Sequence, residues 1–152
     1  MRIRILCVGR LKDGPERELV DDYIARARKT GASMGYRAVE EVEIEAGGGK
    51  EKEAERILAK RGKGKLVRLD ERGQPWTSID LGKRLQTWRD AGDDADFVIG
   101  GADGLAASLT SQTNLALGFG PQTWPHKLVR VMLAEQVYRA LSIEAGSPYH
   151  RE

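Results

Sequence analysis

The sequence predicts an α/β domain built on a mainly parallel sheet with helices on both faces. Strand-like and helix-like segments alternate from the first residue onward, which is typical of successive βα units. The chain has 152 residues, of which 40% are hydrophobic and 32% charged. This length and composition favour a single domain, over residues 1–152, with one core.

The first half of the chain supplies the first strands and helices. Arg2 to Val8 is a short apolar run ended by Gly9, which predicts a buried strand. Pro15 to Gly31 has helical spacing with a proline suited to the first turn. Tyr36 to Ile44 alternates apolar residues with glutamates and predicts a second strand, and Lys50 to Arg61 predicts a short basic helix.

The second half repeats the pattern. Ser78 is predicted to cap a helix that ends at Gly92. The other predicted elements are strands at Lys65 to Leu69, Ala95 to Ile99 and Leu115 to Leu117, a turn-rich stretch at Glu71 to Trp76, a short helix at Leu105 to Asn114, a loop at Gly118 to Pro125 and the longest helix at Lys127 to Ile143.

Charge is balanced overall but unevenly distributed. The 25 basic and 23 acidic residues give a net charge of +2, too mild to indicate nucleic acid by itself. Residues 50–68 hold eight basic and three acidic side chains, which predicts either a solvated helix face or an edge that binds phosphates. The single cysteine, Cys7, and a start without an apolar signal run predict a cytoplasmic protein with no membrane segment.

Three loops are candidates for a ligand site. In parallel sheets, ligands bind beyond the carboxyl ends of the strands, where the loops diverge. The loops after Leu69, Ile99 and Leu117 have this position, and the segment IGGADGL from Ile99 to Leu105 allows close backbone approach or a simple tight turn.

Several kinds of site are excluded or disfavoured. The sequence has no G-x-G-x-x-G after the first strand, no P-loop and no G-x-S-x-G. His126, His150 and Cys7 do not have the spacing of a metal site, so no metal is expected. What remains is a small-molecule site made of backbone and loops, together with a tail in which Tyr149, His150 and Arg151 offer a ring, a titratable group and a cation. A frayed terminus is the alternative for that tail.

Four segments resemble the RlmH family (YbeA-like), the small SPOUT-class rRNA methyltransferases. They are the tail GSPYHRE, the helix HKLVRVMLAEQVYRALSI, the loop FVIGGADGL and the strand end VRLDERGQPW. The resemblance runs the length of the chain. It implies an α/β domain with a C-terminal trefoil knot that binds S-adenosyl-L-methionine, and a homodimer that methylates N3 of a pseudouridine in a stem-loop of 23S ribosomal RNA on the assembled ribosome.

The resemblance also implies site residues. Those expected to bind the cofactor are Leu69, Gly100, Gly101, Phe119, Gly120, Pro121, Gln122, Thr123 and Trp124. Those expected to shape the pocket for the target base are Glu135, Arg139, Tyr149, His150 and Arg151. Methyl transfer from a sulfonium depends mainly on alignment, and the weakly acidic N3–H favours a nearby base or cation.

We expect His150 to accept the N3 proton and Arg139 or Arg151 to offset negative charge on the base. Val131, Met132 and Tyr138 are a candidate dimer surface or ordinary core. The basic stretch and the N-terminal arginines are expected to contact phosphates. The alternative function is a non-catalytic ribosome-binding factor with the same fold.

Overall fold

The computed structural model describes residues 1–113 and 115–151 and has one five-stranded parallel sheet within them. The strands are β1 (Arg2–Val8), β2 (Ala38–Ile44), β3 (Lys65–Gln74), β4 (Ala95–Ile99) and β5 (Leu115–Leu117). The helices are α1 (Pro15–Gly31), α2 (Lys50–Lys60), α3 (Ser78–Asp90), α4 (Ala107–Thr110) and α5 (His126–Glu144), with a 3-10 turn at Ala32–Met34.

The strand order across the sheet is β2-β1-β4-β3-β5, and every neighbouring pair is parallel. All carboxyl ends therefore meet at one edge of the sheet, which we call the carboxyl edge, and all amino ends at the opposite amino edge. Each connection returns the chain to the amino edge, so α2 begins near the carboxyl edge and ends near the amino edge.

Helices cover both faces of the sheet. On one face, α1, α3 and α5 pack on Ile3, Ile5, Cys7 and Phe97, all fully buried. On the other face, α2 and α4 pack on Leu6, Val8 and Val98. Alternate residues of β1 thus enter opposite cores, as the period of a strand requires. The predicted parallel sheet with helices on both faces is confirmed.

Element boundaries differ from the prediction at several places. The cap of α3 is Thr77 rather than Ser78: the Thr77 hydroxyl accepts from the Asp80 amide at 3.0 Å, and the Asp80 carboxylate accepts from the Thr77 amide at 3.2 Å. This reciprocal pair satisfies two otherwise unpaired donors. The Ser78 hydroxyl instead donates to Gln136 Oε1 at 2.6 Å, which ties α3 to α5.

Strand β3 is longer than predicted and α4 is shorter. The stretch predicted as turns continues β3 to Gln74, with a register irregularity between Leu69 and Gln74 where it pairs with β5. Pairing with β5 therefore overrides the local turn signals of Gly73. Of the helix predicted from Leu105, only Ala107–Thr110 is helical within the described residues, and its predicted end, Asn114, lies outside them.

A buried ion network joins α5 to the end of β2. The Arg130 side chain is only 2% exposed, and its Nη1 donates to Glu41 at 2.9 Å and to Glu43 at 3.0 Å, while Nη2 donates to the Gly9 carbonyl at 3.2 Å. Arg17 of α1 donates to the other oxygen of Glu41 at 2.6 Å. The first half of α5 is therefore held against the carboxyl ends of β1 and β2.

Candidate functional site

A cavity of about 430 Å³ opens at the carboxyl edge, over the ends of β3, β4 and β5. The three loops singled out in the sequence, after Leu69, Ile99 and Leu117, form its walls. The lining residues are Leu69, Asp70, Glu71, Ile99, Gly100, Gly101, Ala102, Asp103, Gly104, Leu105, Thr110, Leu117, Phe119, Gly120, Gln122, Thr123, Trp124, His126 and Val129. A cavity of this size suits a small molecule of the cofactor class.

The loop after β4 is a tight turn made of backbone. Gly104 donates its amide to the Gly101 carbonyl at 3.0 Å and has a φ of +78°, which favours glycine. A Cβ on Gly100 would lie 2.9 Å from the Gly104 carbonyl carbon, so a side chain there would displace the turn. At its glycines the loop consequently presents peptide groups to the cavity.

Two other walls approach each other so closely that no side chain fits between them. A Cβ on Gly73 would lie 2.6 Å from the Leu117 carbonyl carbon, and one on Gly118 would lie 2.8 Å from the Asp70 carbonyl oxygen. The Gly118 amide donates to the Gln74 carbonyl at 3.0 Å. The end of β3 and the chain leaving β5 therefore meet backbone to backbone.

Polar contacts hold the loop between β5 and α5 over the cavity. The Trp124 Nε1 donates to the Phe119 carbonyl at 3.2 Å, and the Thr123 hydroxyl donates to Glu71 Oε2 at 3.0 Å. The Trp124 ring is nevertheless 39% exposed. The loop is thus fixed at both ends while its indole remains accessible at the cavity.

The cavity is more acidic than basic. Asp70, Glu71 and Asp103 line it, together with His126. The Arg72 backbone amide, with further help from the Arg68 guanidinium, lowers the pKa of Asp70, which is therefore ionised at neutral pH. Carboxylates in this position favour a ligand that carries positive charge.

The five residues predicted to shape a base pocket form a second cluster, which we call the tail cluster, with Arg151 exposed at its end. Arg139 donates to Glu135 Oε1 from Nε at 2.8 Å and from Nη2 at 2.6 Å, and its Nη1 lies 3.2 Å from His150 Nδ1. The Tyr149 hydroxyl donates to the same Glu135 oxygen at 3.0 Å. The Glu135 carboxylate raises the pKa of Arg139.

Aromatic packing seats the tail on α5. The centre of the Tyr149 ring lies 4.6 Å from the centre of the Tyr138 ring. The Arg139 guanidinium lies over the Tyr149 ring, 4.7 Å from its centre. Burial raises the pKa of Tyr149, with hydrogen bonds to Tyr23 and Glu135 acting in the same direction. The tail is therefore packed along the helix as far as His150, and the frayed alternative does not describe these residues.

The two groups of predicted site residues lie apart in one chain. Of the nine predicted cofactor residues, all except Pro121 line the cavity. Within the described part of the chain, the lining residues include none of the five of the tail cluster. Helix α5 starts at the cavity with His126, and at 1.5 Å per residue Glu135 and Arg139 lie about 14 Å and about 20 Å further along it.

The basic stretch at residues 50–68 is divided by the fold. Lys50 and Lys52 lie at the start of α2 near the carboxyl edge, and both are exposed. Lys60 and Lys63 are exposed near the amino edge, and Lys60 lies about 15 Å from Lys50 along the helix. The prediction that the N-terminal arginines contact phosphates is wrong for Arg4. Its side chain is only 11% exposed and makes two hydrogen bonds to the Asp96 carboxylate, at 2.8 and 2.9 Å.

The acidic lining and the contribution of α5 to the cavity were not predicted from the sequence. Asp103 lies inside the glycine loop, whose pattern predicted a site made of backbone. His126 and Val129 line the cavity because they are three residues apart on the first turn of α5. That spacing could have placed them on one helix face, although nothing local shows which face meets a cavity.

Two searches of the described residues gave no candidates. No helix among them is long and apolar enough to cross a membrane. No group of three or more His, Cys, Asp or Glu side chains in residues 1–113 and 115–151 is arranged to hold a metal ion.

Comparison with known proteins places the chain in a family. Residues 1–150 match the family model described as a predicted SPOUT methyltransferase. The chain belongs to the SPOUT methyltransferase family. Among curated SPOUT methyltransferases, the chain is similar to the ribosomal RNA large subunit methyltransferase H of Hyphomonas neptunium, with 52% identity over 99% of both chains. It is also 50% identical to the protein of that name from Paracoccus denitrificans, over the full length of both.

Solved structures agree on the fold. A methylase family protein from Neisseria gonorrhoeae matches with a TM-score of 0.52 at 13% identity, covering 99% of this chain and 86% of the other. One from Haemophilus influenzae matches with a TM-score of 0.51 at 12% identity, covering 99% and 70%. The resemblance to the RlmH branch of the SPOUT methyltransferases seen in the sequence is confirmed by the full-length relatives.

Proposed function

We propose that this SPOUT methyltransferase transfers a methyl group from S-adenosyl-L-methionine to large-subunit ribosomal RNA. The single observation that carries the proposal is the cavity of about 430 Å³ walled by the backbones of three strand-end loops. The names of the curated relatives support RNA of the large ribosomal subunit as the substrate. The acidic lining supports a cationic cofactor.

The cavity residues fit that cofactor. The peptide groups of the two glycines after β4 and of the loop after β5, except Pro121, would contact its polar and apolar parts together with Leu69. Asp70, Glu71 and Asp103 would complement its sulfonium and ammonium charges. When bound, S-adenosylmethionine supplies an activated methyl group. The chain's own residues then have to orient the acceptor, exclude water and stabilise charge that develops on it.

Calorimetric titration with S-adenosylmethionine tests the proposal. We expect a measurable heat of binding for the wild type, and at least roughly tenfold weaker binding for Gly100→Ala, because the new Cβ displaces the glycine turn. The matched control is Gly62→Ala at the amino edge, where a Cβ meets nothing closer than 3.4 Å. No heat with the wild type would overturn the proposal and favour the ribosome-binding factor.

The acceptor we propose is N3 of a pseudouridine in a stem-loop of 23S ribosomal RNA, on the assembled ribosome in the cytoplasm. The resemblance to the RlmH family supports it. Mass mapping of ribosomal RNA from cells that lack this gene should show one N3-methylpseudouridine lost and then regained when the gene is restored. An unchanged map would contradict this acceptor.

We further propose that the protein is a homodimer in which the tail cluster of one copy faces the cavity of the other. The distance of about 14 to 20 Å along α5 between the two groups supports it. Leu128 of α5 and Leu19 of α1 are 40% and 43% exposed, and Val131, Met132 and Tyr138 are half-buried beside them. Such a surface fits a partner of the same kind.

Mixed dimers test this arrangement. A cavity variant, Gly100→Ala, and a tail-truncated variant would each have little activity alone. If the copies complete each other's sites, mixing them under exchange should restore about a quarter of the wild-type activity, since half the dimers are mixed and each of these has one intact site. No recovery with proven exchange, or a monomer by sedimentation, would contradict the arrangement.

For the RNA surface, we propose that Lys50 and Lys52 at the carboxyl edge contact phosphates. Their exposure on the same edge as the cavity supports this choice over the opposite end of α2. For Lys50→Gln/Lys52→Gln, we expect a shallower plot of the logarithm of the RNA-binding constant against the logarithm of the salt concentration. The slope should fall by about 1 to 2 in magnitude, because each lost phosphate contact reduces it by roughly 0.7 to 0.9. Lys60→Gln/Lys63→Gln is the matched control, and an equal loss there would contradict the choice.

We propose finally that the chain is one domain with a trefoil knot in its C-terminal part. The backbone contact of Gly73 with the chain leaving β5 supports a crossing at this point. The termini can be ligated in the folded protein to close a ring. After denaturation, a knotted ring should migrate faster in a gel than a ring closed from the unfolded chain, and equal mobility would contradict the knot.

A further inference from the structure

The Glu135 carboxylate binds three neighbouring side chains. Its Oε1 accepts from Arg139 Nε and Nη2 and from the Tyr149 hydroxyl, and its Oε2 accepts from Gln136 Nε2 at 2.9 Å. Each carboxylate oxygen offers two lone-pair sites, so Oε1 is fully occupied and Oε2 keeps one site beside the Gln136 amide. Through Oε1, Glu135 positions Arg139 and Tyr149.

His150 is oriented as a donor toward any substrate. The Arg139 guanidinium has only donors, so the His150 Nδ1 at 3.2 Å has to be the accepting nitrogen. In that neutral tautomer the ring proton is on Nε2. To accept a proton at Nε2, the ring would have to carry a proton on Nδ1 facing the guanidinium, which places two donors and two positive charges together.

The remaining groups of the cluster are also donors or cations. The raised pKa of Tyr149 keeps its hydroxyl protonated. From α1, Tyr23 packs near Tyr138, and Arg26, paired with Asp22 at 3.1 Å, lies 5.9 Å from the centre of the Tyr138 ring. Arg151 adds an exposed cation. Within residues 1–113 and 115–151, Asp22 is a further carboxylate near the cluster, and it faces solvent at 51% exposure.

We propose that His150, Arg139 and Arg151 offer the target base hydrogen-bond donors and positive charge, so that the tail cluster stabilises the base as the N3 proton leaves to solvent instead of removing that proton. This inference rests on the proposed function. N3 loses its proton to hydroxide or water, its electron pair forms the bond to the methyl carbon, and the electron pair of the C–S bond stays on sulfur. His150 Nε2–H and Arg139 stabilise the negative charge on the base.

The sequence-based expectation that His150 accepts the proton leads to a different pH dependence. A general base loses activity when it is protonated, so the rate would fall at low pH and level off once the base has lost its proton. Stabilisation of a deprotonated target base instead gives a rate that keeps rising tenfold per pH unit, because the anionic fraction of the target base rises in this way.

Single-turnover methylation of ribosomes between pH 6 and 8.5 separates the two. We expect a continuous rise for the wild type and the same slope for His150→Gln, which keeps a neutral N–H donor, with a rate within roughly tenfold of the wild type. His150→Ala should lose roughly a hundredfold at every pH. Glu135→Gln should lower the rate with the slope unchanged.

Two results would overturn the inference. One is a wild-type profile that levels off within this pH range and becomes pH-independent in His150→Gln. The other is equal activity of His150→Gln and His150→Ala. Calorimetry with S-adenosylmethionine confirms that each variant is folded. A wild type that binds no cofactor and methylates nothing would overturn the proposed function itself, which is distinct from a change in the shape of the profile.

Discussion

Replacing Arg130 with methionine should destabilise the protein by about 3 kcal/mol. The change removes three hydrogen bonds to two carboxylates and a carbonyl from a site that is 2% exposed. Breaking one side of a buried ion pair costs roughly 3 to 5 kcal/mol, because the remaining charge stays buried without its partner. Arg17 remains bonded to Glu41, and Glu43 is 34% exposed, so the lower end of that range applies.

Equilibrium unfolding in urea at fixed protein concentration measures this loss as a shift of the midpoint at constant slope. The matched control is Arg26→Met, whose pair with Asp22 on the surface of α1 is 51% exposed on both sides. That change should lower the free energy of unfolding far less than Arg130→Met does, because water screens an exposed pair. A double-mutant cycle with Glu41→Gln isolates the coupling, which we expect to exceed about 1 kcal/mol.

The reasoning would be refuted if Arg130→Met and Arg26→Met lost the same stability, or if the coupling with Glu41 were zero. Either result would mean that water reaches the network at the end of β2. A loss of cofactor affinity without a loss of stability would instead show that Arg130 only orients the first turn of α5, where His126 and Val129 line the cavity.

Three further predictions concern other parts of the fold. Gly73→Ala should lower the free energy of unfolding in urea by more than about 3 kcal/mol, because its Cβ would lie 2.6 Å from the backbone of β5. Gly82→Ala should instead raise it by about 0.5 kcal/mol, since the nearest contact of its Cβ is 3.5 Å. Equal effects of the two changes would contradict this prediction. Burial raises the pKa of the Cys7 thiol from 9.0 to about 12. The neutral thiol therefore contributes stability below pH 9, and this contribution is lost as the pH rises toward 12. In unfolding measured against pH, Cys7→Ala should lose less stability than the wild type over this range. Glu71→Gln/Asp103→Asn should weaken binding of S-adenosylmethionine several-fold at low salt and less at high salt in calorimetry, and an unchanged affinity would remove the acidic lining from recognition.

Local patterns predicted most of the elements because each signal is contained within a few residues. The apolar run of β1 and the proline and glycine at the ends of α1 gave bounds identical to those observed, Arg2–Val8 and Pro15–Gly31. The end of β3 was missed because its pairing partner, β5, is more than 40 residues later in the chain. The cap of α3 was misplaced by one residue because Thr77 and Ser78 have equivalent hydroxyls, and only Asp80 distinguishes them.

The cavity was predictable in outline, since loops after parallel strands gather at one edge. Its acidic character and the contribution of α5 to its lining depend on where the last helix lies, which no local signal gives. The direction in which His150 is held depends on its contact with Arg139, which spacing alone does not reveal.

The meeting of Gly73 and Gly118 couples the sheet to the cavity. The peptides that join β3 to β5 lie beside the lining residues Asp70, Leu117 and Phe119, so a change that loosens this contact also moves the cavity wall. Ligand binding and resistance to unfolding should therefore change together when this contact is altered. A larger residue at either glycine has to displace the strand pairing and the cavity wall at the same time.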